Sequence, residues 1–188
     1  MKVKVGVSNR HVHLTLEDLN ILFGNIELTK RNDLNQPGQF AANEVVSIEG
    51  PKSSIDNVRI LGPVRKYTQV EVSKTDSYKL GIDPPIRESG DLNGASLIKI
   101  IGPKGTIERE SCIIANRHIH VDDTILEKQG LKGINKVSVR VGGEKGAILE
   151  NVYLKNIPNS YFEMHIDTDD ANACLLKQDM EVEILLDK

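Results

Sequence analysis

Hydrophobic and polar residues alternate along most of this chain, and a period of two residues is typical of β-strands. Residues 2–8 alternate Val with Lys or Gly, and similar short segments recur between Gly- and Pro-containing turns. The predicted strands are 2–8, 45–48, 55–61, 69–73, 96–101, 106–109, 112–115, 137–141, 148–154, 161–166 and 181–186. Many short strands at close spacing predict a mainly β fold of the barrel or sandwich type.

Short helices interrupt the strand pattern at a few points. Thr15 is followed three positions later by Asp18 and then by Gly24, which are the start and stop signals of a helix. The predicted helices are 16–23, a segment from Asp122 or Asp123 to Gly130, and 169–176.

A five-residue segment occurs twice, with one conservative change. Asn-Arg-His-Val-His at 9–13 returns as Asn-Arg-His-Ile-His at 116–120, and the two copies use four of the five histidines in the chain. On extended backbone, residues i and i+2 project from the same face, so each copy offers two imidazoles to one metal ion. The alternative is a chance repeat of surface or core histidines. The duplication, in a chain with so few histidines, favours metal binding.

The repeat continues beyond the histidine pairs. Glu71 stands fourteen residues after Asn57, and His165, the fifth histidine, stands fourteen residues after Asn151. Each half of the chain therefore supplies a third candidate ligand at the equivalent place, and three protein ligands with an open position are typical of a catalytic zinc site. The alternatives are a solvated glutamate or one that contacts a histidine at position 71, and a hydrogen-bonded core histidine at position 165.

Composition and charge exclude several classes of function. With 24 basic and 27 acidic residues the net charge is −3, which gives no electrostatic basis for binding nucleic acid or a membrane surface. No apolar run approaches the ~20 residues of a membrane span. The two cysteines, Cys112 and Cys174, form no disulfide framework and suit a reduced compartment. The sequence also lacks dinucleotide-binding, Walker, zincin and serine-hydrolase motifs.

Cations close to the histidine repeats are candidates for binding an anion. Arg65, in a predicted turn, can bind phosphate through its planar fork, although an exposed turn arginine is an equal alternative. Arg10 and Arg117 precede the histidine pairs and are expected to pair with backbone or carboxylate groups on the opposite face. Three acidic residues after His165 are predicted to cap the last helix or to contact an imidazole: Asp167, Asp169 and Asp170.

Seven segments together resemble the PduL-type phosphate propanoyltransferases, also called phosphotransacylases. These segments are 8–14, 36–41, 58–65, 68–71, 85–90, 117–120 and 164–173, so the resemblance covers almost the whole chain. It implies two β-barrel domains related by the internal repeat, capped by short α-helices, with a dinuclear zinc site between them. The implied domains are 1–9 with 117–188, and 10–116.

The resemblance also implies a set of site residues and a cofactor of two zinc ions per chain. One zinc would take His11, His13 and Glu71, and the other would take His118, His120 and His165. Arg65 matches the phosphate-binding arginine and, with Glu71, is implied to be catalytic. Three other substrate-binding positions are matched without an assigned role: Ser8, Arg59 and Asn172.

The expected function is that of a zinc-dependent phosphate acyltransferase, which interconverts a short-chain acyl-CoA plus phosphate with an acyl phosphate plus CoA. The partners are these small molecules, with no nucleic acid and no membrane, and a homo-oligomer is left open, as is the choice between propanoyl-CoA and acetyl-CoA. The alternatives are a zinc hydrolase of thioesters or phosphoesters and a non-catalytic two-metal protein. Because the first strand begins at residue 2, we expect no microcompartment-targeting extension and a cytoplasmic enzyme.

Overall fold

The computed structural model describes residues 1–24 and 27–186. Within these residues the chain is mainly β, with short helices, as the alternation predicts. In chain order the elements are β1 (Lys2–Ser8), β2 (His11–His13), α1 (Leu16–Phe23), β3 (Lys30–Asp33), β4 (Phe40–Glu49), β5 (Ser54–Gly62), β6 (Gln69–Glu71), α2 (Lys74–Leu80), β7 (Ile86–Arg87), β8 (Ser96–Ile101), β9 (Thr106–Ala115), β10 (His118–Val121), α3 (Asp123–Lys128), β11 (Lys136–Val141), β12 (Ala147–Asn156), β13 (Glu163–Asp167), α4 (Thr168–Cys174) and β14 (Glu181–Leu185).

The chain forms two compact units. Unit 1 comprises Met1–Ser8 and the residues from Asn116 onward, and unit 2 comprises Asn9–Ala115. The sequence predicted two domains, 1–9 with 117–188 and 10–116. The correspondence of these domains to the two units stays a prediction. Residues 187 and 188 of the first of these lie outside the described part of the chain.

Unit 1 is a closed six-stranded barrel with the strand order β1-β13-β10-β12-β11-β14. The N-terminal strand β1 pairs parallel with β13 and antiparallel with β14. The first residues of the chain therefore close a barrel whose other five strands, β10 to β14, lie at the C-terminal end of the sequence. Its interior is filled by apolar side chains of every strand, among them the fully buried Val5, Ile119 and Met164.

Unit 2 closes into a second ring of six strands, β4-β5-β2-β6-β9-β8, because β8 pairs with both β4 and β9. The short strands β3 and β7 extend this sheet at β4 and β9. Fully buried Val12, Ile60 and Val70 belong to its apolar core, and α1 and α2 supply Leu19, Leu22 and Leu80 to the same cluster.

The pleat of the strands separates core residues from candidate ligands. Val12 lies in the core of unit 2 between His11 and His13, and Ile119 lies in the core of unit 1 between His118 and His120. Since successive side chains of a strand alternate between faces, both histidine pairs project from the face opposite the barrel interior. The same rule places the third candidates of both units on that outer face, because their neighbours in sequence, Val70 and Met164, are core residues.

The structure corrects several sequence-based boundaries. The predicted strand 69–73 ends at Glu71, and Lys74–Leu80 forms a helix that was not predicted. Its start signal is a capping box in which Ser73 and Asp76 bond each other's backbone N–H, and it ends at Gly81 in the left-handed conformation. The predicted strands 106–109 and 112–115 are one strand, and β2, β3, β7 and β10 lie outside the predicted strand ranges. Of these, β2 and β10 have the extended backbone on which the metal-binding hypothesis depends.

The internal repeat is visible in the backbone. Asn57 and Asn151, used to align the two halves, both adopt the left-handed conformation, with φ of 58° and 55°. The helix N-caps Ser73 and Asp167 follow them at the same distance. In each unit, therefore, the same number of residues separates an asparagine with left-handed backbone from the N-cap of the next helix, and a strand lies between them.

Two candidate metal-binding sites

The first candidate site lies on adjacent strands of unit 2. Strands β2 and β6 pair antiparallel with His11 opposite Glu71, and His13 extends from the same face of β2. Ligand atoms of the three side chains all lie within 4.8 Å of one another. His11 Nε2 and Glu71 Oε2 are 3.4 Å apart, and two ligands on one zinc at tetrahedral angles are also about 3.4 Å apart.

Backbone carbonyls orient the two imidazoles of this site. His11 Nδ1 lies 2.9 Å from the carbonyl oxygen of Asn9, and His13 Nδ1 lies 3.3 Å from that of Leu61. Because a carbonyl only accepts, each Nδ1 carries a proton and each Nε2 is turned toward the candidate site. This arrangement prepares Nε2 of both histidines for a metal ion.

The charge states of the two histidines differ. Burial lowers the pKa of His11, but the charge of Glu71 and its hydrogen bond outweigh burial and leave the pKa above its usual value. Burial, with the charges of His11 and Arg65, holds the pKa of His13 well below its usual value. His13 is therefore a neutral imidazole, the form that binds metal, and His11 is paired with the one carboxylate of the set.

The second candidate site is built in the same way in unit 1. Strand β10 pairs antiparallel with β13, so that His118 lies opposite His165, and His120 projects beside them. Ligand atoms of these three histidines also lie within 4.8 Å of one another. His118 Nδ1 lies 2.9 Å from the carbonyl oxygen of Asn116, which reproduces the contact of His11 with Asn9.

The residues of the second site fit a metal ion. His118 Nε2 and His120 Nε2 lie only 3.2 Å apart. Burial, followed by the charges of His118, His165 and Lys155, lowers the pKa of His120 to about 2, so this imidazole is neutral. The carbonyl contact of His118 puts its proton on Nδ1, so its lone pair faces His120, and a shared cation would bind both nitrogens at this spacing. His120 Nδ1 is a buried atom with no hydrogen-bond partner among the described residues.

Further side chains contact the third candidate ligand of each site, and they were not predicted from the sequence. In unit 1 the Tyr161 hydroxyl lies 2.9 Å, and Glu163 Oε1 3.0 Å, from His165 Nε2. Burial and the charge of Glu163 raise the pKa of Tyr161, which keeps its hydroxyl neutral. In unit 2, Gln69 Nε2 donates to Glu71 Oε1 over 2.6 Å. The repeat was the signal, since Gln69 and Glu163 both stand two residues before the third candidate ligand.

Arg65 carries a positive charge next to the first site. Its guanidinium donates to the Tyr67 hydroxyl, to Ser89 Oγ and to Gln39 Oε1, at 3.1, 3.4 and 3.1 Å. All three acceptors are neutral, and among the described residues Arg65 forms no ion pair. Its charge lowers the pKa of both His11 and His13, which places it within electrostatic reach of the imidazoles. Such a cation is suited to an anionic substrate.

Comparison with known proteins adds to this geometry. A sequence profile described as phosphate propanoyltransferase matches residues 4–177. The chain belongs to the phosphate propanoyltransferase family. A phosphate propanoyltransferase of Thermotoga maritima is 52% identical over 175 residues, which cover 92% of this chain and 83% of the relative. One of Priestia megaterium is 53% identical over 176 residues, 93% of this chain and 81% of the relative. One of Rhodopseudomonas palustris is 46% identical over 185 residues, 97% and 82% respectively.

Membership of the phosphate propanoyltransferase family makes this protein an enzyme of the acyltransferase class, with phosphate acyltransferase activity on small molecules. The predicted resemblance is thereby confirmed. In the described part of the chain, no helix combines the length and the apolar character that a membrane span needs.

The other predicted substrate-binding residues of this acyltransferase lie in both units. Ser8 ends β1 opposite Asp167, the N-cap of α4, and Asn172 is exposed on α4 in the same unit. Arg59 lies in unit 2, next to His11 in the pairing of β2 with β5. Its Nη1 donates to the carbonyl oxygens of Ala42 and Asn43, at 3.0 and 2.8 Å, so part of its guanidinium is committed to backbone.

Of the backbone or carboxylate partners predicted for Arg10 and Arg117, the structure shows a carboxylate for each. Arg10 binds Asp76 through Nε and Nη2, each at 2.8 Å, and Arg117 binds Asp170 through Nε at 2.8 Å and Nη2 at 2.6 Å. Both aspartates occupy the first turn of the helix that follows a third candidate ligand. Each ion pair therefore links the residue just before a histidine pair to the helix that follows the third candidate ligand. Asp167 caps α4 through Asp170 N–H, as predicted.

Proposed function

We propose that this enzyme transfers a short-chain acyl group between coenzyme A and phosphate, with one zinc ion bound in each unit. The proposal rests on family membership together with one observation, the duplicated set of three ligand atoms within 4.8 Å. The ligands would be His11, His13 and Glu71 in unit 2 and His118, His120 and His165 in unit 1. We also propose that the two units correspond to the two predicted domains.

The donor types favour zinc over harder or softer metals. Five of the six side chains are imidazoles and the sixth is a carboxylate, which is the ligand chemistry of zinc enzymes with three protein ligands and an open position. When bound, zinc supplies a Lewis acid that stabilises a thiolate or a developing oxyanion. The protein supplies oriented Nε2 atoms, most clearly at His11 and His118, where a backbone carbonyl accepts a hydrogen bond from Nδ1.

Arg65 is proposed to hold phosphate. Its guanidinium hydrogen-bonds only neutral acceptors in the described chain, and a planar fork binds two phosphate oxygens at once. Holding the phosphate fixes the direction from which one of its oxygens approaches the thioester carbonyl, which lowers the entropy cost of a two-substrate reaction. The positive charge also favours the transition state, in which the carbonyl oxygen becomes negative.

The proposed reaction is a direct acyl transfer. A phosphate oxygen forms a bond to the acyl carbon, and the carbon–sulfur bond of the thioester breaks. The proton of hydrogen phosphate ends on the sulfur of CoA, which leaves as the thiol. No covalent acyl-enzyme is needed, and Cys112 is buried with its pKa raised to about 12 by burial. We assign propanoyl-CoA as the first substrate to test because the relatives are named for it. Ser8, Arg59 and Asn172 are proposed to contact the substrates.

The decisive experiment measures CoA release from propanoyl-CoA with and without phosphate. We expect CoA to appear only with phosphate, together with an equal amount of acyl phosphate trapped as hydroxamate. CoA release without phosphate would show a thioesterase and would overturn the proposal. Repeating the assay with acetyl- and butanoyl-CoA would define the acyl preference, which a single methylene changes by only ~1–3 kcal/mol.

The role of zinc is tested separately by counting metal. Purified protein is expected to contain about two zinc ions per chain, in line with two three-ligand sites. Activity should disappear after dialysis against a chelator and return on adding zinc. Full phosphate-dependent activity in protein with no bound metal would leave the acyltransferase assignment standing and would exclude the zinc mechanism.

A further inference from the structure

The two candidate metal sites differ in the position of their carboxylate. When the two halves of the sequence are aligned on their third ligands, Glu71 corresponds to His165 and Gln69 corresponds to Glu163. Both pairs have the same offset of 94 residues. Unit 2 therefore reads Gln-x-Glu where unit 1 reads Glu-x-His. Each pair contains one carboxylate, and residues two apart on a strand share a face, so each site receives one negative charge from this strand.

In unit 2 the neutral member of the pair is fixed by its hydrogen bonds. Gln69 Oε1 accepts from the backbone N–H of Gly90 over 2.7 Å, which orients the amide nitrogen toward Glu71 Oε1 at 2.6 Å. The other oxygen of Glu71, Oε2, faces His11 Nε2. Gln69 thus occupies one carboxylate oxygen and leaves the second for the site.

In unit 1 the charged member of the pair contacts the ligand from the same relative position. Glu163 is 6% exposed, and its Oε1 lies 3.0 Å from His165 Nε2. A carboxylate only accepts, so this contact requires the proton of the imidazole to be on Nε2. The lone pair of His165 is then on Nδ1, whereas His118 keeps its lone pair on Nε2 because its Nδ1 donates to Asn116.

A glycine provides the space for this contact. Gly6 of β1 pairs with His165 in the parallel ladder of β1 and β13. A Cβ atom at Gly6 would lie 2.5 Å from Glu163 Oε1 and 3.0 Å from His165 Nε2. Any larger residue would push the carboxylate away from the imidazole, so three strand positions are fitted to one another.

We infer that Glu163 is a positioning residue of the unit 1 metal site, which accepts the Nε2 proton of His165, directs Nδ1 to the metal and supplies the negative charge that Glu71 supplies in unit 2. This inference rests on the proposed metal-binding function. Carboxylates that orient a histidine ligand in this way strengthen its binding to the metal by about 10- to 100-fold.

The test isolates the unit 1 site in a His11→Ala background, which is expected to leave a single metal per chain. Glu163→Gln keeps the shape of the side chain and removes its charge. We expect zinc affinity, measured by competition with a chromophoric chelator, to fall by about 10- to 100-fold. The visible absorption band of bound Co²⁺ should also shift, because the orientation of one ligand changes.

Two further variants separate positioning from general damage. Tyr161→Phe removes the other acceptor of the His165 Nε2 proton but leaves the carboxylate, and we expect a much smaller loss of affinity than with Glu163→Gln. The double variant Glu163→Gln, His165→Glu rebuilds in unit 1 the Gln-x-Glu pair of unit 2. It should recover most of the affinity lost in Glu163→Gln, because the carboxylate becomes a ligand directly.

The outcomes distinguish this inference from the proposed function. Unchanged zinc affinity and an unchanged Co²⁺ spectrum in Glu163→Gln, while the parent binds one metal tightly, would overturn the role of Glu163 and leave the zinc site standing. A larger loss in Tyr161→Phe than in Glu163→Gln would overturn it as well. A wild-type chain that binds no metal would overturn both the inference and the zinc part of the proposed function.

Discussion

Unit 1 and unit 2 carry the same backbone frame around different third ligands. In both, an arginine before the histidine pair binds an aspartate in the first turn of a helix, and the N-cap of that helix stands two residues after the third candidate ligand. Yet unit 2 places Glu71 where unit 1 places His165. Strand pairing and helix capping therefore fix where the third ligand lies in each unit. The side chain at that position, a carboxylate or an imidazole, determines the charge of the site. A two-substrate reaction can use two such unequal sites.

Removal of one histidine from either unit is expected to have the largest effect. His11→Ala and His118→Ala should each reduce bound zinc from about two ions to one and lower kcat by about a thousandfold, ~4 kcal/mol. Metal analysis and the phosphate-dependent CoA assay check both. Glu150→Ala, at an exposed strand position, serves as the control and should bind two metals. Retention of two metals in either histidine variant would contradict the two-site assignment.

Arg65→Lys should show whether the cation near the unit 2 site binds phosphate. The charge stays but the planar fork is lost, so the KM for phosphate should rise by about 10- to 100-fold while the KM for acyl-CoA changes little. Initial rates with each substrate varied in turn separate the two constants. The matched control is Arg140→Lys, whose arginine forms an exposed pair with Glu183. An equal rise of both constants would show that Arg65 acts on structure rather than on phosphate.

The two arginine–aspartate pairs should differ in their contribution to stability. Asp76 exposes 6% of its side chain and Asp170 exposes 20%, so loss of the partner leaves a more deeply buried charge in unit 2. We expect Arg10→Met to lower the free energy of unfolding by about 2–3 kcal/mol and Arg117→Met by about 1–2 kcal/mol. Urea unfolding of the metal-free proteins measures both. The reverse order would mean that burial of the aspartate does not set the cost.

Gly6→Ala should weaken metal binding in unit 1 alone. The added methyl group meets Glu163 Oε1 and His165 Nε2, so zinc affinity in the His11→Ala background should fall by about tenfold. Gly142→Ala is the matched control, since a Cβ there has no described atom within 4 Å. Equal affinities for the two alanine variants would show that the strand can move aside and that the glycine is not required.

The smallest effect is expected from the cysteines. Cys112 and Cys174 are both buried, and neither belongs to the candidate sites. A Cys112→Ser, Cys174→Ser double variant should keep its kcat in the CoA-release assay, because direct transfer needs no thiolate on the enzyme. Thermal unfolding of the variant controls for the two buried hydroxyl groups. Loss of activity in a variant that remains folded would sink the direct-transfer mechanism.

Sequence patterns predicted the elements with strong local signals better than the short strands β2 and β10, which carry the histidine pairs. The alternation at 2–8 and the cap signals at Thr15 and Gly24 are local, and the structure has β1 and α1 at those places. Helix α2 was missed because Val70–Ser73 continues the alternating pattern of β6 into its start. The capping box of Ser73 and Asp76 indicates the start of this helix, but the alternating pattern led to Ser73 being assigned to a strand.

The candidate metal ligands can be identified from the amino-acid sequence alone. Five histidines, a duplicated His-x-His and a fixed offset to Glu71 and His165 define two sets of three, because a repeat preserves equivalent positions whatever the fold. The residues that surround each set are known only from the tertiary structure. Pairing of β1 with β13 brings Gly6 against Glu163, and pairing of β10 with β13 brings His118 opposite His165. Such contacts join residues more than forty positions apart, and only strand register, set by packing of the barrel cores, can bring them together.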